Sequence, residues 1–95
     1  MKLYIDTSNN QKTIVGLNSD LLEKPTGPTK SQQVLVMIDE ILKLHKKNIK
    51  ELTEIKVNTG PGSFTGLRVG VAVANTLAWI LSIPVNGKKQ IEPRY

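Results

Sequence analysis

Residues 58–84 read "NTGPGSFTGLRVGVAVANTLAWILSIP", and the fold turns on what this stretch becomes. Two glycines bracket a proline, hydroxyl residues follow, and the chain then runs apolar almost without a break. Three readings compete: a phosphate cradle, a membrane span, and a helix packed against other elements. The glycines of "GPGSFTG" are spaced GxGxxxG rather than GxGxxG, and Leu67 stands where a P-loop requires lysine. Free amides at a helix start attract anions, but Ser63 or Thr65 can equally cap that helix. The apolar run from Val69 to Val85 is interrupted by Asn75, Thr76 and Ser82 and closed by Pro84 and Asn86. It falls short of the roughly 20 apolar residues a span needs, so no membrane segment is expected. What remains is a long helix, from about Thr65 to Ser82, stopped by Pro84.

Gly66, Gly70, Ala74 and Ala78 recur every four residues along that helix and form a smooth stripe. Small residues at this spacing let another helix approach closely. Val69, Val73, Leu77, Ile80 and Leu81 suit a sheet core on the opposite surface. A helix apolar nearly all round must be covered on both sides. A helix–helix docking interface is therefore expected at Gly66, Leu67, Gly70, Val73, Ala74, Leu77 and Ala78, together with Val34, Met37 and Ile41 of an earlier helix. The chain's own first helix, a partner chain, or both can fill the stripe.

Upstream, "KLYID" reads as a first strand, "TSNNQ" as a turn, "KTIVGLN" as a return strand and "DLLEK" as a third. "PTGPT" cannot continue a ladder. A helix follows from about Ser31 to Lys46, with Thr29 or Ser31 as cap and Gln32 completing a capping box. Val34, Met37, Ile38, Ile41 and His45 share its inner face, while Gln33, Glu40, Lys43 and Lys47 turn outward. Asp39 stands four before Lys43, an ion-pair spacing. Asn48 and Glu51 repeat the capping pattern ahead of a short helical turn. "EIKVN" reads as a fourth strand and "IPVNG" as a last one. A hairpin followed by strand–helix–strand units belongs to mixed α/β sheets.

Ninety-five residues, 39% hydrophobic and 22% charged, allow one domain with a modest core. There is no cysteine, hence no disulfide or thiolate metal site. That composition fits a reducing cytoplasm. Asp6 comes too early for a signal-peptide core. The net charge of +5 gathers in "KLHKKNIK" and "GKKQIEPRY". Without interleaved aromatics these lysines read as a solvated helix end rather than an RNA site. Asp6, Thr7 and Ser8 end the first strand. Such a turn can hold a phosphate or a magnesium-bound water, or it can simply bond its Asp and Ser side chains to its own backbone. No second carboxylate stands at a catalytic spacing, and His45, the only histidine, has no evident activating partner.

Together "LYIDTS" and "GPGSFTGLRVGVAVANTLAW" resemble the TsaB (YeaZ) family. "SQQVLVMIDEIL" is similar to that family's first helix and "ELTEIKVNTGPG" to its next strand and loop, so the likeness spans about residues 2–87. The resemblance implies a single amino-terminal lobe of the actin/sugar-kinase/Hsp70-like (ASKHA, ribonuclease H-like) fold, a mixed sheet of four to five strands with two long helices, occupying residues 1–95 without the family's second lobe. It makes Asp6, Thr7 and Ser8 a vestigial first phosphate loop, with ATP and magnesium held only in a partner complex. It further implies a non-catalytic subunit in tRNA N6-threonylcarbamoyladenosine biosynthesis that docks the TsaD transferase through its two helices. TsaE joins the larger assembly, tRNA is engaged indirectly, and the same helices could pair two copies. The alternative is an ATP- and magnesium-binding half-domain with a phosphotransfer role. This chain departs from the family in length, in the tail "GKKQIEPRY", and in carrying Lys30 where the family often has histidine.

Overall fold

The computed structural model describes residues 1–89. Three strands, β1 (Lys2–Asp6), β2 (Lys12–Leu17) and β3 (Asp20–Pro25), lead into helix α1 (Lys30–Leu44). A single 3-10 turn (Ile49–Glu51), strand β4 (Glu54–Val57) and helix α2 (Phe64–Leu81) follow. The sheet order is β3-β2-β1-β4, with β1–β2 and β2–β3 antiparallel and β1–β4 parallel. The parallel pair needs a long crossover, and α1 supplies it.

Register gathers the apolar side chains on one face. Leu3 lies opposite Leu17 and Ile55, and Ile5 opposite Val15 and Val57. All six are buried, together with Val34, Met37, Ile38 and Ile41 of α1 and Ala74 and Ala78 of α2. Both helices thus cover the same sheet face. Tyr4, Ile14 and Leu21 lie on the other, where a Cβ at Gly16 would come within 2.7 Å of Leu21 Cδ2. Lys2–Glu54 (3.7 Å) and Lys12–Glu23 (3.2 Å) pairs suit that face to water.

Several local expectations hold and several do not. The Asn48–Glu51 capping box forms, Glu51 Oε2 accepting from the Asn48 amide at 2.7 Å. The Asp39–Lys43 pair closes at 2.9 Å. Thr29 precedes α1 but makes no side-chain cap. Gln33 is not turned outward. Its Oε1 accepts from the Thr13 hydroxyl (3.1 Å) and the Gly27 amide (3.2 Å), and its Nε2 donates to the Pro25 carbonyl (2.7 Å). It thereby pins the β3–α1 connection that the prolines leave without ladder partners. His45 sits at the C-cap of α1, 3.1 Å from Asp20.

Helix α2 is capped by Ser63, whose hydroxyl accepts from the Gly66 amide at 3.4 Å. It ends at Ser82, which takes a left-handed conformation two residues before Pro84. "IPVNG" shrinks from an expected strand to one parallel bridge between Val85 and Ile55. Beyond it the Asn86 side chain takes over the pairing, accepting from the Val57 amide (2.9 Å) and donating to the Val57 carbonyl (3.0 Å).

Candidate functional site

The small-residue stripe faces inward. A Cβ added to Gly66 would strike the Thr7 carbonyl oxygen, and one on Gly70 would strike Thr7 Oγ1. One on Gly62 would come within 2.7 Å of Ser8 Cβ. The Thr7 hydroxyl in turn donates to the Gly66 carbonyl. The element admitted by the missing side chains is therefore the β1–β2 loop of the same chain, not a second helix. This corrects the expected docking residues. Gly66, Leu67, Gly70, Ala74 and Ala78 are buried inside the lobe, as are Val34, Met37 and Ile41. On the opposite flank Val69, Val73, Leu77 and Leu81 pack half-buried against the core as expected, whereas Ile80 is 63% exposed.

The Asp6–Ser8 turn is held by its own groups. Asp6 Oδ1 accepts from the Ser8 amide (3.0 Å) and hydroxyl (2.6 Å), and Asp6 Oδ2 from the Tyr4 hydroxyl (3.2 Å). Asn58 donates to Ser8 Oγ at 3.2 Å, and the Ser63 amide to the Ser8 carbonyl at 2.8 Å. Partial burial pushes the Asp6 pKa up. The hydrogen bonds from Ser8, Asn58 and Tyr4 outweigh it and hold the carboxyl below its ordinary 3.8. Thr7 is fully buried. A phosphate needs free donors aimed outward, and the Thr7 hydroxyl and Ser8 amide are already spent. Asp6, Thr7 and Ser8 do not fit a nucleotide phosphate.

Lys30 completes this corner, a role unread in the sequence. Its Nζ lies 3.4 Å from the Thr7 carbonyl and 3.3 Å from that of Asn9, so the first residue of α1 ties the β1–β2 loop to that helix. Burial pushes its pKa down, opposed by the nearby Asp6 charge. The departure from the family's histidine was the available signal.

The outer surface of the helix pair is apolar instead. Leu35 (51% exposed), Ile38, Leu42 and Leu77 line one groove between α1 and α2, rimmed by Asp39, Lys43 and Lys47. Val69, Val73, Leu77 and Ile80 continue it along α2 at three- and four-residue spacing. Of the residues first assigned to docking, only Val73 and Leu77 lie on this face.

A family model described as TsaD, tRNA N6-adenosine threonylcarbamoyltransferase, matches residues 26–92. The chain belongs to this family. Within it the likeness is to TsaB. The chain is 38% identical over 94 residues to the "tRNA threonylcarbamoyladenosine biosynthesis protein TsaB" of Bacillus subtilis, covering 95% of this chain and 41% of the relative. A TsaB of Buchnera aphidicola is 30% identical over 88 residues, covering 90% and 42%. A tRNA N6-adenosine threonylcarbamoyltransferase of Persephonella marina is 34% identical over 62 residues, 65% of this chain and 18% of that one. Among solved structures, YeaZ from Pseudomonas aeruginosa superposes with a TM-score of 0.75 at 26% identity, covering 88% of this chain and 41% of that one. A second neighbour, described as similar to peptidase YeaZ from the same organism, gives 0.76 at 26% identity, covering 88% and 40%. The TsaB-like chain thus spans about two fifths of the length of these relatives. Its mixed four-stranded sheet with two long helices is the ASKHA-type arrangement that the resemblance implied.

Proposed function

We propose that this TsaB-like chain serves tRNA N6-threonylcarbamoyladenosine biosynthesis in the cytoplasm as an accessory subunit, docking the TsaD transferase rather than catalysing a step itself. The observation that carries the reading is the apolar outer face of α1 and α2, where the exposed Leu35 and Ile80 flank the half-buried Val69, Val73 and Leu77. Exposed contiguous apolar surface of this kind is characteristic of an interface. Kinship supports the choice of partner, since the chain is similar to TsaB proteins and, at 34% identity over 62 residues, to a threonylcarbamoyltransferase. We take the transferase to carry a comparable helix pair. Two such pairs can meet about a pseudo-twofold axis, as in an isologous dimer. The same geometry would allow two copies of this chain to pair, and TsaE and tRNA would join through TsaD.

The phosphotransfer alternative draws no support from the Asp6–Ser8 turn, whose donors are consumed internally. Capture of the chain by immobilised TsaD tests the docking reading. Leu35→Asp and Ile80→Asp replace exposed side chains, so folding should be preserved within about 0.5 kcal/mol. Retention of wild type and loss of both variants is the expected result. Equal retention of variants and wild type would refute it.

A further inference from the structure

On the other flank of α2 the TsaB-like chain carries a second feature that the docking face does not use. Trp79 is 82% exposed. It borders a groove of about 540 Å³ formed with Ile83, Pro84, Lys88 and Lys89, where the chain turns back after the left-handed Ser82. The volume is that of a small-molecule or single-base pocket. Its charge is unbalanced. Every Asp and Glu among the described residues already has a cation or hydroxyl partner, and none of those pairs involves Lys56, Lys88 or Lys89. A second groove, lined by Lys2, Glu54, Ile55, Lys56, Asn86 and Gly87, meets the first at Gly87; Glu54 there is paired with Lys2 at 3.7 Å, so Lys56 carries the positive charge on towards β4.

We propose that this groove binds single-stranded RNA, with a base stacked on Trp79 and the flanking phosphates on Lys88, Lys89 and Lys56. An aromatic face beside uncompensated lysines matches the alternation of base and phosphate along a strand. Stacking requires an unpaired base, which excludes a closed duplex. A free mononucleotide would fill the Trp79 groove and leave the Lys56 groove empty. An acidic peptide would satisfy the lysines but offers nothing flat to the indole. The surface is separate from the Leu35–Ile80 face, so the site stands whether or not that face docks TsaD.

Trp79 is the only tryptophan in the chain, so its fluorescence reports on the site directly. Titration with an oligouridylate of about a dozen nucleotides should quench it saturably at low salt. A fourfold rise in salt should weaken binding about sevenfold if two phosphates are held. The double variant Lys88→Glu, Lys89→Glu should bind about tenfold or more weakly with an unchanged circular dichroism spectrum. Trp79→Ala, followed by the anisotropy of labelled RNA, should also weaken binding about tenfold. Absence of quenching at low salt would overturn the proposal. So would equal binding by uridine monophosphate, by polyglutamate or by a duplex of the same length, or wild-type affinity in the lysine double variant.

Discussion

Thr7 is the residue on which the corner of the lobe depends. Its hydroxyl bonds to the Gly66 carbonyl, and its backbone and side chain occupy the space that Gly66 and Gly70 leave open. Gly66→Ala sets a methyl against a backbone carbonyl that no substitution at position 7 can remove. It should cost ~3 kcal/mol or more, read as a lowered urea midpoint. Gly70→Ala instead meets Oγ1, so pairing it with Thr7→Ala should recover part of the loss, whereas Thr7→Ala should recover none of the Gly66→Ala cost. Equal coupling in the two double variants would contradict this assignment. Asp6 gives a pH signature. Its carboxyl lies below 3.8 in the fold, so its stabilisation is complete above that value and is lost as pH falls through the depressed one. Asp6→Asn should flatten the stability curve in that acid window. A variant curve parallel to wild type there would show that the turn does not hold the carboxylate. The GPGSFTG string and the DTS turn were each visible in the sequence. Their contact, fifty-nine residues apart, was not, because spacing along a chain carries no information about what meets a glycine.

At the scale of elements, periodicity located both long helices to within two residues and assigned most strands. It failed on orientation. The four-residue recurrence of Gly66, Gly70, Ala74 and Ala78 establishes that they share a face, but a smooth stripe accepts a strand end as readily as a helix. Here the loop after β1 arrives first, and the larger Val69, Val73 and Leu77 are left half-exposed. Gln33 and Asn86 were illegible for a related reason. Each is a polar side chain standing in for a missing backbone partner, and its need appears only once the sheet is built. Asn86 brackets Val57 with two hydrogen bonds while itself at a positive φ of 51°. Asn86→Ala should cost ~2 kcal/mol. Asn86→Gly, which loses the same bonds but relieves the left-handed backbone, should cost less. The reverse order in thermal midpoints would argue against this edge closure.

The whole molecule presents two distinct surfaces from one pair of helices, an apolar one on the α1 side of α2 and a basic, aromatic one on the other. Composition announced the excess positive charge without showing that Trp79 would stand beside Lys88 and Lys89, since the helix end and the chain reversal that bring them together are tertiary. The apolar surface carries the central claim, that this TsaB-like lobe is a docking subunit. Its most direct test is the mass in solution, by light scattering, of the chain mixed with TsaD. The account predicts a one-to-one complex for wild type that dissociates into separate components for Leu35→Asp with Ile80→Asp, whereas Lys12→Ala on the far sheet face should leave the complex intact. A complex of undiminished mass with the doubly substituted, folded chain would contradict it.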